Sequence, residues 1–98
     1  MVAFIPKASS SRPGTSQTIA YTASSAAATN PFGSATFQVR LCATTACHYS
    51  IGDGAQTATT ANPLLPANVV EYVTVNPGQR IAAIQDTAGG SLYVTEVS

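Results

Sequence analysis

Covalent catalysis needs a base within reach of a hydroxyl or thiol, and His48 is the one histidine in 98 residues. It lies between Cys47 and Tyr49 in a stretch that reads as a strand, so the ring reads as surface or sheet-packed rather than as a general base. A structural zinc site takes about four Cys or His ligands, and Cys42, Cys47 and His48 supply too few without a second chain. Only a metal shared across an oligomer axis through His48 stays conceivable. The carboxylates Asp53, Glu71, Asp86 and Glu96 allow in principle the acid and base of a glycosidase. Asp53, in Ile51-Gly52-Asp53-Gly54, reads as a turn residue, because a calcium loop repeats Asp or Asn at alternate positions and closes on Glu. Asp86 precedes Thr87-Ala88-Gly89-Gly90, where an Asp side chain commonly caps the turn. No glycine-rich phosphate loop, GxSxG elbow or CxxC pair occurs. The expectation is a non-enzyme with no catalytic residue, metal or cofactor.

Cys42 and Cys47 flank Ala43-Thr44-Thr45-Ala46, which suggests a disulfide across a hairpin. Register argues otherwise. Phe37, Val39 and Leu41 alternate with polar residues, as do Cys47, Tyr49 and Ile51, so the odd positions of both strands face the core. Cys47 then opposes Leu41 or Ala43 while Cys42 points away. A β-bulge would restore the disulfide; free thiols are favoured and agree with folding in a cytoplasm. Tyr72 and Tyr93 sit in strands that are apolar on both faces, and such strands are covered on both sides. Together with Val97 they either form a subunit interface or belong to a two-layer core.

The elements that position these residues are short strands. No 3.6-residue apolar period persists, and a chain filled with Ala, Thr, Ser and Val favours strands. The expected strands span 2–7, 17–23, 35–43, 47–52, 69–76, 80–86 and 92–97, giving an all-β fold: a small antiparallel sandwich or jelly-roll-like barrel of about seven short strands. Asn76-Pro77-Gly78-Gln79 has the Pro and Gly placement of a type II turn. With a second hairpin over Thr87–Gly90, where two glycines can take left-handed conformations, the last thirty or so residues read as a three-stranded meander. Asn62-Pro63-Leu64-Leu65-Pro66 reads as an irregular connection, and residues 24–30 as one helical turn or a loop. Residues 1–16 read as an amino-terminal arm and linker, and 17–98 as a single β domain. Val2, Phe4 and Ile5 either dock on a neighbour or form an edge strand.

Composition constrains the partners. Charged residues are 8% of the chain, against roughly 25% in an average soluble domain, and the net charge is zero. A free small domain with that surface is poorly protected from association, so the faces are expected to be covered by copies of the chain or by a larger partner. Nucleic acid is not expected, because four basic residues are scattered singly and phosphate binding needs them clustered. A membrane partner is not expected either. No apolar run reaches the 18 or so residues of a span, and the opening residues lack the basic and apolar regions of a signal peptide.

The succession Leu64-Leu65-Pro66-Ala67, Glu71-Tyr72-Val73-Thr74-Val75, Pro77 to Gln85 and Leu92-Tyr93-Val94-Thr95-Glu96 resembles small virion proteins of tailed bacteriophages, of the capsid decoration or cement type. The resemblance covers roughly residues 36–98. It implies a structural virion protein made in the host cytoplasm, often a homotrimer, that binds the major capsid protein between capsomers on the capsid surface. No catalytic residues carry over from it. The alternative expectation is a carbohydrate- or receptor-binding module of a phage tail or fibre, which would need exposed aromatic residues in a groove.

Overall fold

The computed structural model describes residues 13–97; the strand expected over 2–7, with Val2, Phe4 and Ile5, lies outside them. Eight strands form, β1 (Pro13–Tyr21), β2 (Ala26–Ala27), β3 (Gln38–Ala43), β4 (Cys47–Gly52), β5 (Leu64–Leu65), β6 (Glu71–Thr74), β7 (Arg80–Gln85) and β8 (Gly90–Val97). They pair antiparallel in two four-stranded sheets, sheet A in the order β1-β8-β3-β6 and sheet B in the order β2-β7-β4-β5. The fold is therefore all-β and sandwich-like, as composition and turn spacing imply.

Alternation fills the space between the sheets. Ile19 and Tyr21 of β1, Val39, Leu41 and Ala43 of β3, and Leu92 and Val94 of β8 meet Cys47 and Tyr49 of β4, Leu65 of β5, and Ile81 and Ala83 of β7. Phe37 departs from the expected pattern. It precedes β3 and is 60% exposed, so the inward odd positions begin at Val39.

Strand partners differ most from expectation. The final three strands do not make a meander: β6 and β8 lie in sheet A and β7 lies in sheet B between them in sequence. The Asn76–Gln79 turn does form, with Gly78 at φ +82° and the Gln79 N–H donating to the Asn76 carbonyl at 3.2 Å. It carries the chain from one sheet to the other instead of closing a hairpin. Likewise β3 and β4 belong to different sheets, so Cys42 and Cys47 are not opposed across a ladder. Both are free thiols.

Other boundaries shift for local reasons. Pro13 to Ser16, expected as linker, already belong to β1, where Pro takes the first position that needs no ladder donor. A register shift between Pro13 and Ser16 marks a bulge against β8. Ala26–Ala27 pair with β7 rather than forming a helical turn. Leu64–Leu65, flanked by prolines, still pair with Cys47 and His48, because Leu65 is fully buried in the core. Gly89 and Gly90 do not take positive φ. Gly90 is needed for closeness: a Cβ there would lie 2.5 to 2.9 Å from the Thr45, Thr44 and Tyr21 oxygens.

Candidate functional site

The two outer faces of the sandwich are unlike. On sheet B, residues 53–63 fold back as a strap. Ser50 donates to Gln56 Oε1 at 2.8 Å, the Ala58 N–H donates to Ser25 Oγ at 2.8 Å, and the Thr59 N–H donates to Asn62 Oδ1 at 2.7 Å. Ala82 pairs with Ser50 in the register that points outward, yet it is fully buried, as is Ala58 of the strap. The middle of the outer face of sheet B is thus covered by the chain itself, while Leu64 at the β5 edge stays 49% exposed.

His48 fastens this strap. Its Nδ1 lies 2.8 Å from the Asn62 carbonyl oxygen and its Nε2 lies 2.9 Å from Asp86 Oδ1, with the ring buried. Both nitrogens face acceptors, and only the imidazolium donates to both. The hydrogen bond to Asp86 raises the ring's pKa most. The Asn62 carbonyl and the Asp86 charge add to the rise, while burial opposes it. Asp86 therefore holds the histidine rather than capping the turn that follows it. With Nδ1 tied to a backbone carbonyl, the pair works as a clamp.

On sheet A the cover is confined to one end, and Thr18, Tyr93 and Tyr72 stay exposed. Register places Thr18, Tyr93 and Cys42 in one outward row and Ser16, Thr95, Arg40 and Tyr72 in the next. Tyr93 is 47% exposed and Tyr72 is 40% exposed, so neither is part of a two-layer core. Val70, one residue before β6 and in step with its outward positions, is also exposed. Val97 differs. It pairs with Gln38 in a further outward row, yet at 5% exposure it is covered and offers no free surface to a partner.

Three of the described carboxylates are engaged by groups of the chain itself. Glu71 accepts from the Tyr49 hydroxyl at 2.6 Å. Glu96 accepts from the Thr36 hydroxyl at 2.5 Å and from the Gly33 N–H at 3.1 Å, and Asp86 holds His48. Burial and the Glu71 carboxylate push the Tyr49 phenol far above its ordinary pKa. Burial pushes the Cys47 thiol up, with Tyr21 partly opposing, which leaves it a poor nucleophile. Among the described residues no three His, Cys, Asp or Glu side chains gather as metal ligands.

Where the sandwich is open, a groove of about 530 Å³ runs between β4 and β6. Ser50, Asn62, Val73, Thr74, Asn76 and Gln79 line it together with Tyr49. Tyr49 is buried and its hydroxyl is held by Glu71, so the groove lacks a free aromatic face for a sugar. Sequence reasoning singled out Tyr72 and Tyr93 but not Arg40 between them. The signal was the outward parity of β3, which groups Gln38, Arg40 and Cys42. No protein-family model, curated protein or solved structure matches this chain.

Proposed function

We propose that the chain is a non-catalytic structural subunit that docks through the outer face of sheet A onto a larger protein assembly, as a capsid decoration or cement protein of a tailed bacteriophage. The observation that carries this reading is the asymmetry of the two faces. The strap covers Ala82 at the middle of the outer face of sheet B, leaving Leu64 at its edge, whereas Tyr72, Tyr93 and Val70 stay exposed together on sheet A. The quoted resemblance over residues 36–98 supplies the phage setting, the major capsid protein as partner, the capsid surface as location and the homotrimer.

Size favours a lattice over a single strong contact. Four strands about 4.8 Å apart and about 25 Å long present on the order of 400 Å², roughly half of what one partner contributes to a standard interface. Affinity then comes from many copies, or from one oligomer engaging several sites at once. The carbohydrate- or receptor-binding alternative has less support, because the exposed tyrosines lie on a flat face and the groove's aromatic ring is buried.

The test is co-sedimentation with expanded empty capsids of the phage that carries the gene. Near-stoichiometric binding by wild type, abolished in Tyr72→Ser/Tyr93→Ser, supports the reading. Glycan binding without capsid binding would reverse the order of the two readings.

A further inference from the structure

We propose that the outer face of sheet A recognises a protein surface presenting a carboxylate, with Arg40 as the anchoring cation and Tyr72 and Tyr93 as its apolar flank. This deepens the docking reading and rests on it. Arg40 sits at the middle of the face, directly across from Tyr72 on β6 and Thr95 on β8, one row from Cys42 and Tyr93. Within the described residues no carboxylate lies in ion-pair reach of it; the only such pair joins His48 and Asp86.

The charge balance of the exposed surface is the reason. The formal net charge is zero, but Glu71, Glu96 and Asp86 are engaged with Tyr49, with Thr36 and Gly33, and with His48. Asp53, the fourth carboxylate, lies in the exposed turn after β4, on the other sheet. The described residues of a second copy laid face to face on sheet A would therefore offer Arg40 another Arg40, tyrosines and hydroxyls, but no free side-chain acid. Enclosing an unpaired guanidinium in a dry contact is costly, whereas a carboxylate can meet its planar fork with two parallel hydrogen bonds. Arg and Tyr together are also the residues that carry most binding energy at protein interfaces. A nucleic acid fits less well, since a lone cation neutralises one phosphate.

The experiment titrates the isotope-labelled full chain, followed by NMR, with a random copolymer of glutamate and tyrosine. A lysine–tyrosine copolymer and an oligothymidylate are run in parallel. The expected result is perturbation confined to Arg40, Tyr72, Tyr93 and their neighbours with the glutamate copolymer, weakened by salt. Affinity should fall by about tenfold or more in Arg40→Glu, with part retained in Arg40→Lys. Unchanged thermal unfolding of both variants excludes misfolding. An equal response to the lysine copolymer, tighter binding of the oligothymidylate, or indifference to Arg40→Glu overturns the proposal. Capsids that ignore the wild-type chain while the copolymer still engages Arg40 would remove the decoration role and leave this surface standing. Capsid binding unaffected by Arg40→Glu would do the opposite.

Discussion

His48 carries an acceptor on each ring nitrogen, and this geometry has a pH consequence. The folded chain raises the ring's pKa above its ordinary 6.5, so it holds the proton more tightly than the unfolded chain does. The stability so gained is fully present below 6.5 and is lost as pH rises through the folded-state pKa. We predict that the denaturant midpoint of wild type falls as the solution goes from mildly acidic to mildly alkaline. In His48→Gln the slope should disappear, since no other histidine exists; equal slopes in the two proteins would refute the clamp. A second residue-scale prediction concerns Tyr21, which is buried and donates to the Thr45 carbonyl at 2.6 Å while accepting from the Thr45 N–H at 3.2 Å. Tyr21→Phe leaves both groups without that partner and should cost about 1–3 kcal/mol in chemical denaturation. Neither site was legible in the sequence. His48 and Asp86 are 38 positions apart and meet only because β4 lies beside β7, whereas the inward alternation of Val39, Leu41 and Ala43 needs no partner and could be read directly.

Turns and strands divide in the same way. Local chemistry specified the Asn76–Gln79 turn, because Pro restricts one dihedral and Gly permits another whatever surrounds them. Which sheet each strand joins depends on contacts from distant parts of the chain, and the meander expected from short connections therefore did not form. The two glycines show the difference energetically. Nothing lies within 4 Å of a Cβ built on Gly78, whose φ is +82°. Gly78→Ala should thus cost only the left-handed penalty of about 1–2 kcal/mol. At Gly90 three oxygens crowd the same position, and backbone and side chains of the Thr44–Thr45 connection must shift. Calorimetry should rank Gly90→Ala as the more destabilising of the two, and the reverse order would show that this connection yields easily.

For the whole molecule, surface and core separate cleanly. Tyr72→Ser and Tyr93→Ser alter side chains that face solvent, so each should change stability by no more than about 0.5 kcal/mol while removing attachment to the assembly. A large loss of stability would mean that the rings support the sandwich. The all-β class was legible because composition and turn spacing are properties of the whole chain. The exposure of Tyr72 and Tyr93 was only half legible, since which outward residues the strap covers is decided by where it lands. The position of β8 also bears on how the molecule comes to exist. It lies between β1 and β3, so two of the three ladders of sheet A cannot begin until the carboxy-terminal strand arrives. No early hairpin can seed that sheet from β1, and a fragment ending before Gly90 would leave β1 without a partner in sheet A. Acquisition of structure should accordingly be a single late event on the millisecond-to-second scale of non-local β topologies, with protease resistance appearing all at once.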